Sequence, residues 1–247
     1  MMTFVFDIDG TLSFDGRTID PMVVRTLRQL IAAGHQVVFA SARPIRDLLP
    51  VIPTFQQQPL IGGNGALIRL NGRVEVVQAL SSTVSRTIKG LIDQYDLEYV
   101  ADGAWNYASR VRSDAEILRQ VDPAHVAQRV NIRDLSPLVK VILLHLTPEQ
   151  RVVLRDQLRA LPVTIVEHSG EGNLDITDQG VHKAAALAKI GIRDYVAFGN
   201  DQNDLSMFKA AAHRVWVTSK PELPVPVGAE PCAANVMALV ERLESYC

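Results

Sequence analysis

The stretch Thr3-Phe4-Val5-Phe6-Asp7-Ile8-Asp9-Gly10-Thr11-Leu12, residues 3–12, decides how this chain is read. The apolar run predicts a buried strand, and the glycine that follows predicts a tight turn. Asp7 and Asp9 then stand at the carboxyl end of a strand, where open α/β sheets bind ligands, and two acids two residues apart can share a divalent cation. Four fixed residue types within five positions, each at a frequency of roughly 5–7%, arise by accident about once in several hundred chains of this size. The plain alternative is an acidic turn that caps the next helix, and residues elsewhere in the chain decide between the two.

Outward from this stretch, strand and helix signals alternate as they do in a parallel sheet with crossover helices. Asp20-Pro21 caps a helix whose apolar stripe is Val23, Leu27, Leu30 and Ile31, and Gly34 ends it. Val37 to Ala40 predicts the second strand and Leu60-Ile61 a short third, while Asn71-Gly72 predicts a hairpin between Ala66–Leu70 and Val74–Gln78. From about residue 80 an insert of helices and strands follows. It contains a helix with Val84, Ile88, Leu91 and Ile92 on one face, a strand near Glu98–Val100, a central strand over Leu138–Leu146, and a helix opened by the capping box Thr147-Pro148-Glu149-Gln150. Strands near Val163–Glu167 and Leu174–Thr177 close it, and His145, inside the apolar run, reads as a core histidine.

The alternation resumes with a helix over Val181–Ile190, a strand over Tyr195–Phe198, the loop Gly199-Asn200-Asp201-Gln202-Asn203-Asp204 and a helix from Leu205. A strand over Arg214–Val217, an extended proline-rich loop over Lys220–Pro231 and a terminal amphipathic helix complete the chain. The expected architecture is α/β: a Rossmann-like, doubly wound parallel-sheet core of residues 1–78 and 179–247, with a second domain inserted at 79–178.

The 247 residues can bury a sizeable core without staples, and the net charge of −2 with dispersed basic residues argues against nucleic-acid or anionic-membrane partners. Cys232 and Cys247 have neither disulfide-framework nor metal-ligand spacing. Charges interrupt every apolar stretch before the about 18 residues a membrane span needs, and the amino terminus enters a strand with no basic leader, so a cytoplasmic chain is expected.

Four groups fall at strand ends or helix starts: Asp7 with Asp9; Ser41, followed by Ala42-Arg43-Pro44; Lys183; and the loop 199–204. Singly, Ser41 reads as a cap, Lys183 as a solvated charge and Asp204 as a cap; their joint placement argues for chemistry. With these residues the chain resembles the haloacid dehalogenase superfamily of hydrolases, in the Cof-type or type IIB branch, whose large α+β cap (C2B type) is inserted between the second and third motifs. Asp7-Ile8-Asp9-Gly10-Thr11 matches the first motif, Ser41 the second, Lys183 the third and Gly199–Asp204 the fourth, and Gly63-Asn64-Gly65-Ala66 matches a segment typical of the branch.

The resemblance implies a Mg²⁺-dependent phosphatase acting on a small phosphorylated metabolite such as a sugar phosphate. Asp7 is then the nucleophile, giving an aspartyl-phosphate, and Asp9 the acid and base. Ser41, Lys183, Gly10, Asn64 and Arg43 would hold the phosphate, and Asp7, the Asp9 carbonyl and a residue of the fourth loop the metal. Oxygen ligands of these kinds suit Mg²⁺, which reconciles an anionic nucleophile with an anionic substrate.

The fourth loop departs from the family pattern Gly-Asp-x-x-Asn-Asp by placing Asn200 where the first aspartate is usual. Asn200 through its amide oxygen, Asp201 turned inward, or Asp204 directly or through water can complete the site, and the spacing favours Asn200 with Asp204. Specificity is expected from the insert, with Trp105, Tyr107, His168, Glu171 and Asn173 as candidates. A phosphomannomutase-like phosphotransferase and a non-catalytic binding protein are the rival readings, whereas Asp9 argues against a dehalogenase proper.

Overall fold

The computed structural model describes residues 1–112, 116–168, 172–219 and 224–247. The chain runs through β1 (Thr3–Phe6), α1 (Pro21–Ala32), β2 (Gln36–Ala40), α2 (Ile45–Leu48), β3 (Leu60–Gly62), β4 (Leu67–Leu70) and β5 (Arg73–Val76). Then come α3 (Ser82–Gln94), β6 (Glu98–Asp102), β7 (Tyr107–Arg110), β8 (Lys140–Leu144), α4 (Pro148–Arg159), β9 (Val163–His168) and β10 (Asn173–Asp178). It ends with α5 (Lys183–Lys189), β11 (Val196–Gly199), α6 (Leu205–Ala210), β12 (His213–Thr218), β13 (Glu230–Ala233) and α7 (Val236–Glu244).

Among the described residues the strands form two sheets. The eight-stranded sheet has the order β13-β12-β11-β1-β2-β3-β4-β5, parallel from β13 to β3 and antiparallel across the β3-β4-β5 meander. β1 is apolar from Phe4 to Phe6 because both of its faces are covered there. Phe4 and Phe6 join the cluster with Leu27, Leu30, Leu239 and Leu243 of α1 and α7, while Val5 points to the opposite cluster with Leu187, Met207 and Phe208 of α5 and α6. The order reverses direction between β1 and β11, which makes their carboxyl ends the switch point where a doubly wound sheet opens a crevice.

The second sheet, β7-β6-β8-β10-β9, is antiparallel and drawn wholly from the insert. Its strands alternate. Tyr99, Ala101, Val141, Leu143, Leu174 and Ile176 pack under α3 and α4, and the intervening residues face the core. The expected central strand over Leu138–Leu146 is shorter, Lys140–Leu144, and His145 lies just beyond it. His145 is not a core histidine: it is half exposed, has φ of 52° and pairs with Glu98 at 2.9 Å. The end of the expected proline-rich loop is also different, since Glu230–Ala233 adds an edge strand to β12.

A buried ionic joint ties the cap to the core. Arg46 of α2, 1% exposed, donates to Asp102 Oδ1 at 2.6 Å and to the Trp105 carbonyl at 2.9 Å, and its guanidinium lies 4.8 Å from the centre of the Tyr107 ring. Asp47 beside it accepts from the Asp122 amide at 2.9 Å. Lys140 pairs with Asp175 at 2.7 Å and donates to the Ala42 carbonyl at 3.1 Å.

Candidate active site

The end of β1 delivers Asp7 into the crevice, and its amide is tied to the Phe198 carbonyl of β11 at 2.9 Å. The chain then turns so tightly that the amides of Thr11, Leu12 and Ser13 all reach the Ile8 carbonyl. Gly10 has φ of 76°, and a Cβ there would collide with the Asn200 amide, so the position demands glycine on two counts. Gly10 thus lets the first loop lie against the fourth.

Lys183 opens α5 behind a cap made by His182, whose Nδ1 accepts from the Ala185 amide at 3.0 Å; burial lowers the His182 pKa, which suits that acceptor role. The Lys183 ammonium is fully buried between Asp7 Oδ1 at 2.5 Å and Asp204 Oδ1 at 2.6 Å. Burial works against its charge, yet Asp204 and Asp7 outweigh it and hold the lysine above its ordinary range. Asp7 moves the other way from a usual carboxylate: burial, reinforced by Asp204, pushes it up to about 7 against the pull of Lys183. Two carboxylates on one ammonium leave an excess of negative charge at Asp7, which a further cation would relieve.

The fourth loop is organised by Asp204. Its Oδ2 accepts from the amides of Asn200 at 2.9 Å and Asp201 at 3.1 Å while its Oδ1 pairs with Lys183, so both oxygens are engaged. Asp201 is exposed and caps the Gln202 amide at 2.7 Å. Asn200 Oδ1 faces the first loop: it lies 3.1 Å from Thr11 Oγ1, which is also 3.2 Å from Asp7 Oδ2. One hydroxyl proton serves only one of these acceptors at a time, so one of the two oxygens is left without that donor. Among the described residues no three His, Cys, Asp or Glu side chains group around a metal position. A Mg²⁺ ion here would draw on amide and backbone oxygen as well as carboxylate, and Asp7, Asn200 and the Asp9 carbonyl are oxygen donors of the hard kind that Mg²⁺ takes.

Ser41 ends β2 fully buried, and its Oγ accepts from the Arg43 amide at 3.0 Å. The Arg43 guanidinium grips Asp9 with two bonds, Nε to Oδ2 at 2.8 Å and Nη2 to Oδ1 at 2.5 Å, and also donates to the Gly16 carbonyl. Asn64 adopts φ of 58° in the Gly63–Gly65 turn, and its Oδ1 accepts from Asn203 at 3.2 Å. A Cβ on Gly65 would strike the His182 carbonyl, so this turn packs directly on the start of α5.

Asp7, Asp9, Arg43, Asn200, Asp201 and Asn203 open onto a cavity of about 650 Å³ that the cap sheet roofs with Val100, Asp102, Lys140, Ile142, Leu144, Asn173 and Asp175. Of the cap residues singled out in the sequence, Asn173 lines this cavity. Trp105 instead bonds the Val126 carbonyl and packs on the core, and Tyr107 backs Arg46. Glu171 and the side chain of His168 lie outside the described residues. Arg46, Asp47, Asp102, Lys140 and Asp175 were missed in the sequence; the one signal they gave was a charge within or beside an apolar strand.

A model of the haloacid dehalogenase-like hydrolase family matches residues 4–223. The chain belongs to that family. It is 25% identical over 226 residues to a 5-amino-6-(5-phospho-D-ribitylamino)uracil phosphatase of Bacillus subtilis, covering 83% of this chain and 82% of the relative. It is 24% identical over 239 residues to a phosphoglycolate phosphatase of Methanoculleus marisnigri, covering 90% and 86%. A haloacid dehalogenase-like hydrolase from Bacteroides thetaiotaomicron superposes with a TM-score of 0.83 at 20% identity, covering 100% of this chain and 99% of the other, so core and cap share one fold with this hydrolase. Among the described residues no helix is long and apolar enough to cross a membrane.

Proposed function

We propose that this hydrolase cleaves a small phosphomonoester by transferring the phosphoryl group to Asp7, with Mg²⁺ as cofactor. Residues 1–78 and 179–247 act as the catalytic core and 79–178 as the cap that admits the leaving group. The observation that carries the reading is Lys183 Nζ held at 2.5 Å and 2.6 Å between the buried carboxylates Asp7 and Asp204, at the switch point of the core sheet. The two relatives named above are both phosphatases, which supports the reaction class.

The Asp7 carboxylate attacks phosphorus, and Lys183 and the Ser41 hydroxyl hold the phosphoryl oxygens, stabilising charge as it builds on them. Asp7, Asn200 and the Asp9 carbonyl would hold Mg²⁺, which would supply the neutralisation that lets a carboxylate approach a phosphate dianion. Asp9 gives a proton to the departing oxygen and later takes one from water. Its present grip by Arg43 implies an exchange: an incoming dianion draws the guanidinium from Asp9, which frees the acid and adds a phosphate ligand in one movement.

The test is phosphate release from p-nitrophenyl phosphate with and without Mg²⁺, for the wild type and for Asp7→Asn. Release that needs both the metal and Asp7 is the expected result. Release undiminished in Asp7→Asn overturns the assignment, and turnover that needs a bisphosphate activator and frees no phosphate identifies a phosphotransferase.

A further inference from the structure

The loop Ser41-Ala42-Arg43 carries two of the groups proposed to meet the phosphoryl oxygens, and each of its three carbonyls is held from outside the loop. The Ser41 carbonyl accepts from the Asn64 amide at 3.2 Å and the Arg43 carbonyl from the Gly63 amide at 2.7 Å. Both of these holds come from the core. A Cβ on Gly62 would lie 2.9 Å from the Arg43 carbonyl, so the end of β3 presses directly on the loop. The third hold comes from the cap. Lys140 Nζ, 98 residues away in the chain, donates to the Ala42 carbonyl at 3.1 Å. Across the same residue the Arg43 amide donates to Ser41 Oγ at 3.0 Å, which leaves the Ser41 hydroxyl its own hydrogen to give. The orientation of the Ala42 peptide therefore bears on both the Ser41 hydroxyl and the Arg43 guanidinium.

Lys140 has the features of a fixed donor. It opens β8, and Val139 before it is fully buried in the apolar cluster of the catalytic core that includes Ile8 and Leu12. The Val139 amide is tied in turn to the Asp102 carbonyl at 2.8 Å, so the backbone at this corner of the cap is seated on the core. The Lys140 side chain is 4% exposed, and its charge is met by Asp175 at 2.7 Å. An apolar pair of similar volume would fill such a place without the cost of desolvating two charges, so stability alone does not call for an ion pair. What the lysine adds is a long stem that crosses from cap to core and an ammonium with N–H bonds enough for Asp175 and Ala42 together.

Resting on the phosphatase reading above, we propose that Lys140, although carried by the cap, is a positioning residue for the phosphoryl group. By fixing the Ala42 carbonyl it sets the Ser41 hydroxyl and the Arg43 guanidinium, so phosphate binding at the core depends on a cap residue whatever the leaving group is.

The experiment measures hydrolysis of p-nitrophenyl phosphate by the full chain with Mg²⁺, using inorganic phosphate, which has no leaving group, as a competitive inhibitor. Lys140→Met should raise KM and the Ki of phosphate by the same factor, about tenfold, as expected for a lost bond from a charged donor, with a smaller change in kcat. Lys140→Arg, which keeps a cation able to donate to both acceptors, recovers part of each. Arg46→Met cuts the neighbouring joint between cap and core and should leave the Ki of phosphate within about twofold. Where Lys140→Met fails to fold because Asp175 is left unpaired, the double variant Lys140→Met with Asp175→Leu removes both charges and should show the same rise in Ki. An unchanged Ki overturns the inference: with a raised KM it makes Lys140 a contact of the leaving group, and with an unchanged KM it leaves Lys140 no part in binding. An equal rise in Arg46→Met also overturns it, because a loosened cap would then explain both. Turnover that survives Asp7→Asn overturns the phosphatase reading, and this inference with it.

Discussion

Thr11 Oγ1 stands between Asp7 Oδ2 and Asn200 Oδ1, and that triangle is where the unusual asparagine meets the proposed nucleophile. Placing a carboxylate at position 200 adds negative charge to a hard-oxygen set, so Asn200→Asp should lower the Mg²⁺ concentration for half-maximal activity. Asn200→Ala should raise it about tenfold or more, and a metal titration reads both. Asp204 has a different place, with one oxygen on Lys183 and the other on two amides. Asp204→Ala should therefore raise the Mg²⁺ requirement through disorder of the loop and cost about 3 kcal/mol in urea unfolding, whereas Asp201→Ala, which loses a cap, should cost about 1 kcal/mol. Equal effects of the two would contradict the assignment. Asp7, Asp9, Ser41, Lys183 and the 199–204 loop were legible because each sits in a local pattern of strand followed by turn or helix. Arg46 with Asp102 was not, since the partners are 56 residues apart in the chain and each alone looks like an ordinary surface charge.

Among the elements, α2 is one turn long and gains its importance from what it carries across to the cap. Arg46→Met leaves Asp102 buried without its cation, and urea unfolding should show a loss of about 3–5 kcal/mol; the pair Arg46→Met with Asp102→Leu should recover much of it. An additive double variant would show that the joint is not coupled. Asp47 gives α2 a pH signature. Burial pushes its carboxyl up to about 6, Arg46 pulling down and Asp102 pushing up. A group raised in the folded state contributes stability that is present below its unfolded value and lost as pH rises through the folded one. The stability of the wild type relative to Asp47→Asn should thus fall between about pH 4 and pH 6 and level off above, by on the order of 3 kcal/mol. A flat difference over that window would refute the burial argument. The sequence missed α2 because four residues carry too little periodicity to stand out, and it overextended β8 because Leu138 to Leu146 is apolar while only Lys140–Leu144 pairs with neighbours.

In the molecule as a whole, two sheets meet over one cavity, and the core sheet explains why its half of the site was readable. A buried parallel sheet shows itself as alternating apolar strands and capped helices, and its switch point follows from strand order. The cap resisted because the described residues that follow β7 are fixed by side chains, Asp122 on the amides of Val126 and Ala127 and Asn106 on that of Gln128, rather than by a periodic pattern. Its cavity face also mixes charged and apolar residues, which blurs the two-residue alternation that marks its other face. The proposed division of labour, phosphoryl chemistry at the core and admission of the leaving group at the cap, rests on Asp7 as nucleophile. The most direct measurement quenches the enzyme during turnover of p-nitrophenyl phosphate with borohydride, which reduces an acyl phosphate to an alcohol, and locates the change by peptide mass spectrometry. The account predicts homoserine at position 7, formed only when substrate is present. Phosphate release under the same conditions with residue 7 unmodified and the reduced residue elsewhere would contradict it.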